Sequence, residues 1–245
     1  MENSNEIIDE LKQNGCKIIQ EKNGFKFGID AVLLAWFCSE SIRNNQSLVD
    51  LCTGTGIIPL LLSSSSRAVH ISALEIQNCY ADMAQRSVRL NNLQEKIEVL
   101  HGDLKNIQDY YKKHSVENVT CNPPYMICDH GKQNPEDKKA IARFEVMCTL
   151  EDVVRAADYL LKPGGAFFMI HKPFRLPEIF SVFEKYHIEP KRMQLVLSHA
   201  DEEPAMVLIE GRKNAGRRLK IEKPLVVYNP DGTYTQEINK IYGIN

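Results

Sequence analysis

The sequence predicts an α/β fold with a mostly parallel sheet. Three observations carry this. Short apolar, β-branched runs alternate with helical patterns from residue 47 to residue 172. Alternation of that kind builds parallel βαβ units in one sheet. The last two strand candidates have only DEEP between them, too short for a crossover, so they form an antiparallel hairpin.

The elements follow in order. SLVDL (47–51) is the first strand, and a Gly-containing turn leads into the helix IIPLLLSSS (57–65). VHISALE (69–75) is the second strand, and QNCYADMAQRSVRLNNL (77–93) has apolar residues at helical spacing. KIEVLHGD (96–103) and ENVTCNPPY (117–125) hold strands three and four. TLEDVVRAADYLLKPGG (149–165) is a helix with a Thr N-cap and a Pro-Gly-Gly stop, and AFFMIHK (166–172) is strand five. LPEIFSVFEKYH (176–187) is a helix before the hairpin strands RMQLVLSHA (192–200) and AMVLIEGRK (205–213). Ahead of this core, FKFGIDAVLLAWF (25–37) reads as an apolar helix capped by Asp30. The polar stretch 126–148 is longer than a bare connection, and such loops usually serve function. Three regions result: an N-terminal helical extension over 1–46, a catalytic domain over 47–213 and a C-terminal tail over 214–245 that packs on it.

Composition excludes several classes. With 43% hydrophobic and 25% charged residues, the 245-residue chain is neither collagen-like, coiled-coil nor wholly disordered. No apolar stretch reaches the roughly 18–20 residues of a membrane span. The acidic, polar start MENSNEIIDELKQNG is not expected to be a signal peptide. Seven scattered cysteines without a C-x-x-C pair suggest neither a zinc site nor a redox dithiol, and they fit a reducing cytoplasm. His101 and His171 sit at strand ends and read as structural. The formal charge of −2 places any nucleic-acid contact on a local patch.

The chemistry begins at VDLCTGTGIIPLLL (49–62), a strand, tight turn and helix. Gly54 and Gly56 remove side chains where a ligand approaches backbone. Asp50 and Thr53 flank the turn, and the helix N-terminus offers free N–H groups. Glu75, at the end of strand two, is placed to accept both hydroxyls of a ribose. Asp103, after strand three, is placed to accept from an adenine amine. A dinucleotide site shares this pattern, but its third glycine is replaced here by Pro59. Asn122-Pro123-Pro124-Tyr125 closes strand four at the carboxyl edge, where open α/β sheets bind ligands. An amine on a ring or carbonyl is a poor nucleophile because its lone pair is delocalised. The Asn122 amide oxygen and the Pro123 carbonyl can accept from such an amine and stabilise its developing positive charge. Pro123 and Pro124 stiffen the segment, and Tyr125 offers a face for an extruded base.

Gly54-x-Gly56, Glu75, Asp103 and NPPY in this order resemble the class I methyltransferases that use S-adenosylmethionine on exocyclic or amide nitrogens. The resemblance covers about residues 25–211. It implies a seven-stranded Rossmann-like sheet of order 3-2-1-4-5-7-6 with the last strand antiparallel. It also implies that Asp50, Thr53, Gly54, Gly56, Glu75, Asp103 and Asn122 hold the cofactor. A closer similarity is to the bacterial tRNA adenine-N6 methyltransferases that act next to the anticodon of a valine tRNA. It rests on FKFGIDAVLLAWF, DLCTGTGIIPLLL, ALEIQ, NPPYM, the stretch after Arg143 and Glu145, and PLVVYNPDGTYTQEINKIY. It implies adenine N6 in tRNA as the target. The tetrapeptide by itself does not separate adenine from guanine N2, cytosine N4 or a protein glutamine.

Residues 212–220 hold five basic residues in nine and no acid: Arg212, Lys213, Arg217, Arg218 and Lys220. Such a run is expected to bind RNA phosphates, extended by Lys132, Lys138, Lys139 and Arg143. The readings set against RNA methylation are methylation of a protein glutamine or of guanine N2 in rRNA, a dinucleotide-dependent oxidoreductase, and a catalytically silent RNA-binding module.

Overall fold

The computed structural model describes residues 5–23, 26–124 and 148–244. The main sheet is built from β3 (Ser47–Leu51), β4 (His70–Glu75), β5 (Ile97–His101), β6 (Val116–Cys121), β7 (Leu161–His171), β8 (Ile188–Leu197) and β9 (Pro204–Lys213). Across the sheet the order is β5-β4-β3-β6-β7-β9-β8, with β9 antiparallel to both its neighbours. Numbered within the sheet, this is 3-2-1-4-5-7-6. Two short strands of the tail, β10 (Lys220–Ile221) and β11 (Leu225–Val226), add to the free edge of β8.

Helices cover both faces. On one lie α1 (Ile29–Ser39), α2 (Ile57–Ser65) and α3 (Asn78–Leu90), and on the other α4 (Leu150–Leu160) and α5 (Leu176–Lys185). The alternation of β7 shows why the sheet needs two covers. Ala166, Phe168 and Ile170 enter the α1–α2 core, while Phe167 and Met169 enter the α4–α5 core, where Phe167 meets the Phe183 ring at 5.7 Å. α2 is buried from Ile57 through Leu62 because α1 covers its outer side. Thr149 caps α4 in a reciprocal box with Asp152, and the chain turns extended at Leu161.

The segment read as a helical extension also contains a hairpin, β1 (Glu6–Glu10) with β2 (Lys17–Glu21). β2 packs on α3, where its Ile19 N–H donates to the Ser87 hydroxyl at 2.9 Å. Asp30 does not cap α1. The N-cap is Gly28, and Asp30 is the second helical residue. The tail closes with α6 (Gln236–Ile241), whose Ile238 is fully buried. Among the described residues no helix is long and apolar enough to cross a membrane.

Candidate active site

At the carboxyl ends of β3, β4, β5 and β6 lies a cavity of ≈ 280 Å³. Thr53, Gly54, Glu75, Asp103, Asn122, Pro123 and Pro124, all singled out from the sequence, line it. Residues as far apart in sequence as Thr53 and Pro124 converge there because the parallel strands all end at this edge. Tyr125 and the basic residues Lys132, Lys138, Lys139 and Arg143 lie outside the described residues, as does the loop that carries them.

The turn after β3 has the backbone that glycine permits. Gly54 has φ +57°, and a Cβ built there meets nothing within 4 Å, so it faces open space. Gly56 plays a different part from the one expected. It does not line the cavity. It is the N-cap of α2 at φ +88°, and a Cβ would stand 3.1 Å from the Ala84 Cβ on α3. Its small size lets two helices approach.

Glu75 is only 4% exposed. Its Oε2 accepts from the Gly54 N–H and its Oε1 from the Gln77 N–H, both at 2.9 Å. The Gln77 side chain and the Ile76 amide also steady its charge. Burial pushes its pKa up, and the Gln77 and Gly54 amides oppose that push. Asp103 caps the 3-10 turn Leu104–Asp109, accepting from the Lys105 N–H at 2.9 Å, with the Lys105 ammonium 3.6 Å away.

Asp50 sits behind the turn and does not line the cavity. It is fully buried, and its Oδ1 accepts from the Thr120 hydroxyl on β6 at 2.6 Å. Burial drives its pKa up to about 7. His171 is buried and driven down to about 4 by burial and by Arg175, which keeps it neutral.

Asn122 follows β6 directly. Its Nδ2 donates to Asp30 Oδ2 at 3.1 Å, and its Oδ1 is buried with no hydrogen-bond partner among the described residues. The Thr53 hydroxyl is also buried, beside the Asp50 carboxylate, whose charge it steadies. Unsatisfied buried polar groups are costly and rare, so one on a residue that lines a cavity calls for an explanation, and a ligand is one. Sequence reasoning missed Phe27, Asp30 and Tyr80 as cavity residues. The signal for the first two was present in FKFGID, whose apolar pattern was read as helix alone.

The basic segment divides. The Lys213 ammonium is buried and forms an ion pair with Asp158 on α4 at 2.7 Å. Arg212 pairs with Glu210 at 2.8 Å and Lys220 with Glu222 at 2.8 Å. Arg217 and Arg218 are exposed. Lys213 also lies away from the strand ends that hold the cavity. Ile209 is level with Leu51 and Cys121 at the strand ends. Lys213 is four residues further down an antiparallel strand, about 13 Å away at roughly 3.3 Å per residue. Expecting Lys213 at the RNA surface is therefore corrected: its charge is neutralised inside the fold, a pairing that sequence spacing did not reveal.

Residues 30–192 match the methyltransferase small domain family. The chain is 28% identical to the tRNA1(Val) (adenine(37)-N6)-methyltransferase of Flavobacterium psychrophilum, over 89% of this chain and 91% of that protein. It is 30% identical to the enzyme of the same name from Parabacteroides distasonis, over 78% of each. Among solved structures, a predicted O-methyltransferase from Agrobacterium tumefaciens superposes with a TM-score of 0.70 at 20% identity, over 87% of this chain and 95% of that one. Methanocaldococcus jannaschii Trm5 in complex with adenosine follows at 0.58 and 18%, over 88% of this chain and 58% of that one. At these identities the structures establish the fold.

Proposed function

The chain belongs to the methyltransferase small domain family, and from that premise we propose how its cavity works. It is an S-adenosylmethionine-dependent methyltransferase whose target is an exocyclic base amine in RNA, adenine N6 in tRNA. The oxidoreductase reading is set aside by the family, and Pro59, where a dinucleotide site has glycine, is buried in α2.

The residues present fit the cofactor. The open space at Gly54 and the carboxylate of Glu75 supply room and acceptors on one wall. Glu75 would hold the ribose hydroxyls and Asp103 an adenine amine. When bound, S-adenosylmethionine supplies a methyl group on a positively charged sulfur, and its transfer to nitrogen breaks the carbon–sulfur bond and leaves S-adenosylhomocysteine.

The chain's own work is to hold the amine. The observation that carries this reading is the Asn122 Oδ1, buried and unpartnered among the described residues, on a residue that lines the cavity. It would accept one amine N–H, turning the lone pair out of conjugation and stabilising charge as it develops on nitrogen. Pro123 would add its backbone carbonyl, Pro124 would keep the segment stiff, and Tyr125 would stack on the extruded base. No general base is needed, because the methylated ammonium is acidic enough to lose its proton to water.

Of the basic segment, Arg217 and Arg218 remain as phosphate contacts remote from the target base. The functional division is a catalytic domain over 47–213, an extension over 1–46 that lends Phe27 and Asp30 to its cavity, and a tail over 214–245, and the reaction belongs in the cytoplasm, where tRNA is. The test is digestion of tRNA to nucleosides after incubation with labelled S-adenosylmethionine. Label in N6-methyladenosine supports the reading. Label in N2-methylguanosine, or in protein glutamine when a lysate is supplied, supports one of the other substrates.

A further inference from the structure

Asp30 stands in no part of the mechanism above, yet it is the partner of the residue at its centre. Its Oδ2 accepts from Asn122 Nδ2 at 3.1 Å, across 92 positions of sequence. Its Oδ1 accepts from the Ala31 N–H at 3.0 Å, which fixes the carboxylate against the first turn of α1. Gly28 makes room for it: a Cβ there would stand 2.7 Å from Asp30 Oδ1. The carboxylate is thus held on one side by α1 and presented on the other to the cavity that both residues line.

This arrangement has a chemical consequence. The two ends of an amide side chain are nearly identical in shape and opposite in hydrogen bonding. A neighbouring group decides which end faces a ligand. An ionised carboxylate has no proton to give, so it can receive only the Nδ2 end of Asn122. The Oδ1 end must then face away from Asp30, and it is the atom found buried without a partner. We propose that Asp30 is a positioning residue for methyl transfer: it locks the Asn122 amide so that an acceptor, and not a donor, meets the target amine. A flipped amide would set N–H against N–H and repel the substrate. The proposal rests on Asn122 receiving the amine.

The experiment exchanges donor and acceptor between the two positions. Rates are measured as single-turnover methylation of tRNA at saturating S-adenosylmethionine, with cofactor affinity by calorimetry and folding by thermal melts. Asp30→Asn allows residue 30 to donate, so Asn122 can present either end. The expected result is a rate at least tenfold lower, with cofactor affinity and KM for tRNA within about threefold of wild type. In the double variant Asp30→Asn with Asn122→Asp, residue 30 donates to one carboxylate oxygen and the other oxygen again faces the amine. This swap is expected to recover at least threefold over Asp30→Asn alone. Should Asp30→Asn fail to fold, Asp30→Ser is measured, with a loss of the same size expected.

A wild-type rate in the folded Asp30 variant overturns the proposal. So does a swap no faster than Asp30→Asn, which would make Asp30 merely structural. A loss of cofactor affinity that parallels the loss of rate would place Asp30 on the cofactor and overturns it as well. Asn122→Ala separates this failure from that of the underlying reading. If Asn122→Ala keeps full rate, the assignment of Asn122 itself is wrong. If it is inactive while Asp30→Asn is not, only the role of Asp30 falls.

Discussion

The Gly54 N–H donates to Glu75 Oε2 at 2.9 Å, so the turn after β3 is pinned to the end of β4 by one carboxylate. The same group that would hold a ribose also sets the shape of the neighbouring wall. Replacing Glu75 with Ala removes both functions. Charge-assisted hydrogen bonds contribute about 1.5–3 kcal/mol each, so S-adenosylmethionine affinity is expected to fall at least tenfold. Calorimetry on a variant that melts cooperatively checks this, and unchanged affinity would remove Glu75 from the cofactor site.

Asp50 predicts a pH dependence of stability. Its folded pKa is raised by burial to about 7, above the unfolded carboxylate value. Between those values the folded state binds more protons than the unfolded one, so its contribution to stability is lost as pH rises. Asp50→Asn keeps an acceptor for the Thr120 hydroxyl and removes the titration. The variant is therefore expected to gain on wild type from pH 4 to pH 8, by up to about 4 kcal/mol. Denaturant titrations at several pH values check it, and a constant difference would contradict it.

Lys213 is expected to act on stability and not on RNA. Its ammonium is buried against Asp158 and also donates to the Asp158 carbonyl. Lys213→Met keeps the stem and loses the charged bonds, a cost of about 1.5–3 kcal/mol. Urea unfolding should report that loss, while tRNA affinity of the folded variant stays unchanged.

How far the sequence revealed this molecule depended on the range of the interactions. The strand SLVDL, the buried helix IIPLLL and the Thr149 N-cap were legible because their signals are local. The hairpin β1–β2 was not. Asn14-Gly15 between EIIDE and KIIQE is a turn signal that was passed over, because both strands carry charged ends and the Glu6 carboxylate is held by Arg86 of α3, 80 residues on. The cavity residues Glu75, Asp103 and Asn122 were legible because each ends or follows a strand at the same sheet edge. Asp30 was misread as a cap because its partner lies across the fold. Lys213 was misread because five basic residues in nine look solvated until Asp158 is brought alongside. The packing of Gly56 against Ala84 was not legible, because α3 lies more than twenty residues on.

Arg217 and Arg218 are exposed, just ahead of β10, which adds to the outer edge of β8. If they contact phosphates, the double variant Arg217→Ala with Arg218→Ala binds all tRNAs more weakly. It should also flatten the plot of log affinity against log salt by up to about two contacts' worth. The single-turnover rate at saturating tRNA should not change. A salt titration with the wild-type slope and affinity would take this edge off the RNA surface.

The role of Asn122 is tested most directly by single-turnover transfer of labelled methyl to tRNA, comparing wild type with Asn122→Ala. Removing one preorganised partner of a developing charge costs about 2.7–4 kcal/mol, so the predicted result is a rate lower by about a hundredfold or more. The label made by wild type should appear in N6-methyladenosine, and S-adenosylmethionine affinity of the variant should stay within a few fold. A folded Asn122→Ala variant that methylates at the wild-type rate would contradict the account.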